Sequence, residues 1–261
     1  MKAERARLGH VPIDRVTFAE ALETISALVE ARQGGTVFTP NVDHIVMADE
    51  NAGFRRAYAA ADLSLADGMP VVWASRALGV PVPEKISGSD LVSPLMELAE
   101  AKGFRVYLFG GADGVASLAA LNLQRKYPRL VIAGTASPRV DLREPASQRQ
   151  GIIEEIRRAA PDLVLVALGA PKQELWIHEA AQALRPAVLL GVGASIDFLA
   201  GTARRAPAWV SAAGLEWLYR LVQEPRRLWR RYLVQDPKFL GIFVGELRAQ
   251  RNLRRRSEVS Q

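Results

Sequence analysis

The chain has 261 residues, of which 49% are apolar and 24% charged, a composition typical of a globular protein large enough for one α/β domain with an appendage. It contains no cysteine, so a disulfide framework and thiolate chemistry are excluded, and its three histidines are too scattered to predict a metal site. No run approaches the roughly 20 apolar residues of a membrane-spanning helix, and residues 1–10 lack the apolar core of a signal peptide. We therefore expect a soluble or peripheral protein in the cytoplasm.

The positive charge is concentrated near the carboxyl end. The net charge is +6, but residues 204–261 contain 13 Lys and Arg against 5 Asp and Glu, a balance of +8 that leaves −2 for residues 1–203. The last fifth of the chain is therefore the part that would face an anionic partner.

The predicted elements alternate between helix and strand. Thr17 and Glu20 have the spacing of a capping box and predict a helix over 17–33. Short apolar runs predict six strands, at 36–39, 63–66, 105–109, 130–133, 163–168 and 188–192. Helical periodicity lies between most of them, at 91–102, 116–127, 147–160 and 172–184. This pattern indicates a Rossmann-like α/β fold, with a parallel sheet covered by helices on both faces.

The pattern changes after Arg205. Ala206-Pro207 interrupts it, and Pro225 and Pro237 divide the rest into short helical pieces rich in Trp, Tyr, Leu and Arg. We predict an α/β core over 1–205, a basic amphipathic helical appendage over 206–253, and a disordered polar tail over 254–261.

Ligands of open parallel sheets bind beyond the carboxyl ends of the strands, so the residues there are the candidate site. Thr39 and Asn41 follow the first strand of the sheet and could contact a ligand, whereas Asp43 could simply cap the next helix. Asp67 follows the second strand. Its pairing with Gly68 suits a plain turn, and its position also suits a general base in a partly desolvated setting.

Glycines follow the next predicted strand. Gly110 and Gly111 open a helix, where backbone N–H groups could approach a phosphate. A tight turn without a ligand explains them about as well, because their order does not match the dinucleotide fingerprint Gly-x-Gly-x-x-Gly.

Two further loops have the composition of a phosphate site. Gly169 precedes Lys172 and Gln173, and a lysine in the first turn of a helix opposes the helix dipole, which favours an anionic ligand there. The loop from Gly193 to Asp197 also suits close backbone approach, although packing explains its glycines comparably well.

These segments, taken together, resemble the WecG/TagA/CpsF glycosyltransferase family from about Gly9 to Tyr232. Seven motifs carry the resemblance and occur in the family order: Thr-Pro-Asn-x-Asp-His (39–44), Asp-Gly (67–68), Glu-x-x-x-Gly-Ser-Asp-Leu (84–91), Gly-Ala-Pro-Lys-Gln-Glu (169–174), Gly-Val-Gly-Ala (191–194), Arg-Ala-Pro-x-Trp (205–209) and Glu-Trp-Leu-Tyr-Arg-Leu (216–221).

The resemblance implies an inverting transferase that uses a UDP-sugar and acts on a saccharide linked to undecaprenyl pyrophosphate in envelope polysaccharide synthesis, such as teichoic acid or exopolysaccharide. The donated sugar would be N-acetylmannosamine, its uronic acid or glucose. Asp67 matches the candidate general base, and Thr39, Asn41 and Gln173 match polar active-site residues. The resemblance implies neither a cofactor nor a metal, and there is no Asp-x-Asp motif to hold a metal-bound diphosphate.

Lys85 departs from the family pattern, which commonly has arginine at this position. A lysine can neutralise a leaving diphosphate as a point charge, but it cannot form the bidentate fork of arginine.

The appendage combines aromatic residues such as Trp217 and Trp229 with Arg220, Arg227 and Arg230. Such a segment would adsorb to the anionic inner face of the plasma membrane, or it would pack on the core as an ordinary helix pair. The resemblance favours the membrane and implies that these three arginines approach the pyrophosphate. A homo-oligomer would hide the same apolar face.

Two other classes of function remain open from the residues. A nicotinamide-dependent oxidoreductase would use the glycine turn at Gly110, but it lacks the fingerprint spacing and a ribose-binding acid. A non-enzymatic binder of membrane or nucleic acid would use the basic carboxyl end, but polar groups at several strand ends argue against it, and we expect no nucleic acid.

Overall fold

The computed structural model describes residues 4–212 and 214–259; the side chains of residues 146, 208, 212, 227 and 253–259 lie outside this description. The strands are β1 (Arg5–Leu8), β2 (Val11–Asp14), β3 (Gly35–Phe38), β4 (Leu63–Ser64), β5 (Arg105–Gly110), β6 (Val131–Ala136), β7 (Leu163–Ala167) and β8 (Val188–Gly191).

The helices of the α/β part are α1 (Phe18–Glu30), α2 (Val42–Glu50), α3 (Ala52–Ala59), α4 (Met69–Ala77), α5 (Gly88–Lys102), α6 (Val115–Lys126), α7 (Ala146–Arg158), α8 (Lys172–Ala180) and α9 (Ser195–Ala200). The carboxyl-terminal helices are α10 (Ala208–Ala212), α11 (Glu216–Gln223), α12 (Pro225–Arg230) and α13 (Lys238–Val259), with a π-helical turn at Arg231–Gln235.

Six strands form one parallel sheet in the order β4-β3-β8-β7-β5-β6. All six are the strands predicted from the apolar runs, so the Rossmann-like α/β fold is confirmed. The central strand β7 is buried at every position, and in the register Leu165 lies between Leu108 of β5 and Leu190 of β8. Helices cover both faces because each face of the sheet is apolar.

Two hydrophobic clusters lie on the two faces of the sheet. Along β5 and β7 the side chains alternate: Phe109 and Val166 join one cluster, whereas Leu108 and Leu165 join the other. Burial of each such side chain is worth roughly 1.5–3 kcal/mol, so the alternation fixes which helices pack on which face.

The amino-terminal hairpin of β1 and β2 was not predicted. Its two strands pair antiparallel, with Arg5 opposite Asp14, and the Asp14 side chain also accepts a hydrogen bond from the Ser64 backbone N–H at 2.7 Å. The hairpin is thereby attached to the end of β4. The predicted helix after it is confirmed as α1, with the Thr17–Glu20 capping box in place.

Helix α13 crosses back over the α/β part. Phe239 is buried in a core cluster, and the Glu246 carboxylate accepts a hydrogen bond from the Gly9 N–H at 2.7 Å. The Gln250 side chain donates to the Leu78 carbonyl at 3.0 Å. The carboxyl-terminal segment is helical, as predicted, and its last helix is also packed on the core.

The domain boundaries stay a prediction. The backbone of α13 is helical as far as Val259, while residues 260–261 of the predicted tail lie outside the described part of the chain. Among the described helices, none is both long enough and apolar enough to cross a membrane.

Gly110 provides a test of the turn after β5. Its φ is 105°, and a Cβ there would lie 2.5 Å from the Ala167 carbonyl oxygen of the neighbouring strand. We expect Gly110→Ala to lower the free energy of unfolding by about 1–3 kcal/mol, measured by urea denaturation. Gly151→Ala is the matched control: Gly151 is exposed within α7 with open space around it, so alanine there should raise stability by roughly 0.5–1 kcal/mol.

Candidate active site

A cavity of about 420 Å³ lies at the carboxyl ends of four neighbouring strands, β4, β3, β8 and β7. It is centred on the boundary between the neighbouring strands β3 and β8. The helix that follows β3, α2, packs on one face of the sheet, and the helix that follows β8, α9, packs on the other face. This is the switch point at which open α/β sheets bind their ligands. The carboxyl-terminal segment covers the cavity from above with Trp217, Arg220, Arg231 and Tyr232.

Thr39 and Asn41 lie at the end of β3 and both line the cavity. The Thr39 hydroxyl donates to the Gly191 carbonyl at 3.4 Å, and the Asn41 side-chain oxygen accepts from the His44 N–H at 3.3 Å. Asn41 is thus the residue that caps α2. The reading of Asp43 as that cap was wrong, because Asp43 lies inside the first turn and pairs with Arg231 instead.

Asp67 follows β4 and lies on the wall of the cavity, with its backbone N–H bound to the Pro40 carbonyl at 2.9 Å. Burial raises the pKa of its carboxyl to about 7, and the nearby carboxylate of Glu216 raises it as well. Lys85 and Arg220 act in the opposite direction. Asp67 can therefore take up or release a proton near neutral pH.

Lys85 lies between two carboxylates of different segments. Its Nζ is 3.0 Å from Oδ2 of Asp90 at the start of α5 and 3.1 Å from Oε1 of Glu216 at the start of α11. It also donates to the Ser211 hydroxyl at 3.0 Å. Burial works against the charged form, but the two carboxylates outweigh it and the pKa of Lys85 is raised.

Gln173 lies in the first turn of α8, and its amide faces two neighbours. Nε2 donates to Oε1 of Glu174 at 2.7 Å, and Oε1 accepts from the Gly193 N–H at 3.1 Å. Glu174 is fully buried, and burial raises the pKa of its carboxyl to about 7. The Gln173 hydrogen bond and the charge of Arg231 lower that pKa, whereas Asp43 raises it.

A second ion pair joins the core to the carboxyl-terminal segment. Nε of Arg231 lies 3.0 Å from Oδ2 of Asp43, and its guanidinium donates to the Asn41 side-chain oxygen at 3.3 Å. Burial raises the pKa of Asp43 and that of Asp236, the latter to about 6, and Arg231 opposes both shifts. Burial also lowers the pKa of His44 to about 3, so its ring is neutral. Nδ1 of His44 is hydrogen-bonded to the Tyr58 hydroxyl at 2.7 Å, and the ring tautomer decides which of the two donates.

The fold places most of the predicted site residues around the cavity and places the others outside it. Nine line the cavity: Thr39, Asn41, Asp67, Lys85, Gly169, Gln173, Gly193, Trp217 and Arg220. Six do not: Gly110, Gly111, Lys172, Asp197, Trp229 and Arg230. The side chain of Arg227 lies outside the described part of the structure. Gly110 is the last residue of β5, and β8 and β7 separate that strand from the β3–β8 boundary. The conformation of Gly110 is explained by its close approach to Ala167.

Sequence reasoning missed the roles of Arg231 and Glu216. Arg231 belongs to the run of arginines from which Arg230 was selected, and no sequence signal separates the two neighbours. Glu216 stands in a quoted motif beside Trp217, but its contact with Lys85 joins residues 131 apart.

Among the residues that the structure describes, no group of three His, Cys, Asp or Glu side chains is arranged to hold a metal ion. The absence of a metal or cofactor from the reaction stays a prediction.

A carboxyl whose pKa is raised to about 7, two site amides and five cations around one switch-point cavity define an α/β enzyme for an anionic substrate. The model of the glycosyl transferase WecG/TagA/CpsF family matches residues 6–253. The chain therefore belongs to this family and is a glycosyltransferase, and the oxidoreductase alternative was wrong.

Two bacterial proteins that this chain resembles share one name, N-acetylglucosaminyldiphosphoundecaprenol N-acetyl-β-D-mannosaminyltransferase. The protein from Bacillus spizizenii is 34% identical over 244 residues, which cover 93% of this chain and 91% of the relative. The protein from Bacillus subtilis strain 168 is 32% identical over 232 residues, which cover 89% of this chain and 87% of the relative.

The charges around Asp67 predict pKa shifts of opposite sign. Lys85→Ala should raise the pKa of Asp67 above about 7, because it removes a stabilising cation, and Glu216→Gln should lower it, because it removes a repelling carboxylate. Carbon-detected NMR titration of the Asp67 carboxyl measures both shifts. Glu97→Gln, an exposed carboxylate on α5, is the control and should leave the titration unchanged. Shifts in the same direction would show that the charges are arranged differently.

Proposed function

We propose that the protein is an inverting transferase that moves N-acetylmannosamine, or a related hexose, from a UDP-sugar to a saccharide linked to a polyprenyl diphosphate. The observation that carries this proposal is the position of Asp67: a carboxyl of near-neutral pKa at the switch point of the sheet, with Lys85 and Arg220 close enough to influence it. The activity named for the two relatives supports N-acetylmannosamine as the donated sugar and N-acetylglucosaminyl-diphosphoundecaprenol as the acceptor.

Asp67 acts as the general base. The acceptor hydroxyl oxygen attacks the anomeric carbon while the bond from that carbon to the UDP oxygen breaks, and UDP leaves with the bonding electrons. The hydroxyl proton passes to Asp67. One displacement inverts the anomeric configuration, so no covalent sugar–enzyme intermediate forms.

Of the five cations that line the cavity, three would stabilise the leaving diphosphate: Lys85, Arg220 and Arg231. In this structure Lys85 forms ion pairs with Asp90 and Glu216. A bound diphosphate would therefore take the place of one of these carboxylates beside the Lys85 ammonium group. As a lysine, it offers a point charge without the fork of arginine, so the positioning of the diphosphate falls to the two arginines.

The carboxyl-terminal segment provides the membrane contact. Among the described residues of this segment, the exposed large apolar side chains are Trp209, Leu215, Trp217, Leu218, Val222, Trp229, Leu233, Val234, Leu240 and Val244. Together with the balance of +8 beyond residue 203, they suit adsorption to an anionic lipid surface on the cytoplasmic side, where a polyprenyl-linked acceptor would lie.

Asp67→Asn tests the general base. The amide keeps the shape but cannot accept a proton, so we expect kcat to fall roughly 10²- to 10⁴-fold, with UDP affinity changed less than about threefold. Mass spectrometry of products from a UDP-sugar panel and a short prenyl-diphosphate N-acetylglucosamine acceptor measures the turnover. If the variant keeps more than about half of the wild-type rate, Asp67 is not the general base and is only a turn residue.

The pH profile gives a second readout of the same group. A base with a pKa of about 7 is largely protonated at pH 6, so the wild-type kcat should rise with pH through 7 and then level off. The residual rate of Asp67→Asn should lack this limb.

Membrane adsorption is tested by changing two exposed residues that do not line the cavity, Trp229→Ser together with Leu233→Ser. Since burial of each side chain is worth roughly 1.5–3 kcal/mol, co-sedimentation with anionic vesicles should weaken at least about tenfold while UDP affinity stays unchanged. Leu121→Ser, equally exposed but on α6, is the control and should sediment like the wild type. Equal loss from the control would place the contact elsewhere.

A further inference from the structure

The amide of Gln173 is held at both ends, and only one orientation satisfies both contacts. The Gly193 N–H can only donate, so the atom 3.1 Å from it is the amide oxygen. The other neighbour, an oxygen of Glu174 at 2.7 Å, requires an N–H donor when the carboxyl is ionised, and that donor is Nε2. The Gly193 contact therefore assigns the amide, and the contact with an ionised Glu174 agrees with that assignment.

One N–H and one lone pair of Gln173 remain for a ligand. A primary amide has two N–H groups and an oxygen with two lone pairs, and the bonds to Glu174 and Gly193 use one of each. Gln173 lines the cavity, whereas Glu174 lies behind it. The bonds to Glu174 and Gly193 therefore fix the orientation of an amide that still has one donor and one acceptor to offer.

Glycine at position 191 leaves room for this arrangement. A Cβ there would lie 3.0 Å from Nε2 of Gln173, which is tighter than ordinary contact. The Gly191 carbonyl also accepts the Thr39 hydroxyl bond, so the amide, β8 and the end of β3 are in one connected set of contacts.

A glutamate at position 174 lowers the stability of the fold, compared with an apolar residue of similar size. It is fully buried, and one of its oxygens, Oε2, has no hydrogen-bond partner in the structure. A buried carboxyl with an unpartnered oxygen destabilises the fold relative to an apolar side chain of similar volume. General-base transfer does not use Glu174, so its presence points to a role exerted through Gln173.

We infer that Glu174 is a positioning residue, which fixes the Gln173 amide toward the cavity and, through the Gly193 N–H, the loop that follows β8. Only the activity measurement below rests on the proposed function. The nearby charges, Asp43 and Arg231, act on the ionisation of Glu174 but are not in its hydrogen-bond contact with Gln173.

Four variants separate positioning from packing: Glu174→Gln, Glu174→Leu, Gln173→Ala and the double change of Glu174→Leu with Gln173→Ala. Glutamine keeps an acceptor for Nε2, so kcat should stay within about fivefold, whereas leucine should lower kcat about 10- to 100-fold with a smaller change in KM. If Glu174 acts through Gln173, the double variant should be no slower than Gln173→Ala alone.

Additive losses in the double variant, or equal losses for glutamine and leucine, would overturn the inference. Glu97→Leu, which replaces an exposed carboxylate on α5, is the control for a general effect of removing a helical glutamate and should keep the wild-type kcat.

NMR of the Gln173 side-chain amide tests the inference without turnover. Its two N–H signals, identified by their loss in Gln173→Ala, should be shifted and slow to exchange in the wild type and in Glu174→Gln. In Glu174→Leu they should resemble those of an exposed glutamine. Unchanged signals in Glu174→Leu would overturn the positioning role. A wild-type protein that transfers no sugar would overturn the proposed function, and the NMR result would then decide by itself whether Glu174 positions the Gln173 amide.

Discussion

Of the ion pairs that join the carboxyl-terminal segment to the α/β core, two lie at the cavity, and their charges run in opposite directions. At one side a core cation, Lys85, pairs with Glu216 of the segment; at the other a segment cation, Arg231, pairs with Asp43 of the core. Neither part of the chain could bury its own charges alone without a large desolvation cost. The segment therefore completes the electrostatics of the site as well as its shape.

The same pairs modify the pKa values of two buried carboxyl groups, Asp67 and Glu174. Asp67 lies beside the Lys85 pair and has a pKa of about 7, while Glu174 lies behind the Arg231 pair and has a similar value. Burial moves both upward, and the neighbouring cations limit the shift. One carboxyl faces the cavity and suits proton transfer; the other is enclosed and suits the holding of an amide. Environment, more than residue type, separates the two roles.

The sequence predicted the sheet well, since strands buried on both faces are read directly from runs such as 163–168. It also located Asp67, because a carboxylate at a strand end is visible without coordinates. It did not predict the β1–β2 hairpin, whose short strands alternate Arg5 and Arg7 with apolar residues. It selected Arg230 over Arg231 for the site, because successive helical residues point about 100° apart and a run of arginines does not reveal which one faces inward.

The bond from the Gly9 N–H to Glu246 spans 237 positions of the chain. A contact of such sequence separation forms only after the chain has been synthesised as far as α13, and it carries the entropy of closing a very long loop. During synthesis the amino-terminal hairpin can therefore form its contact with α13 only after that helix has left the ribosome. The seating of that helix is accordingly a late event of folding, and the enclosed site is assembled later than the sheet that supports it.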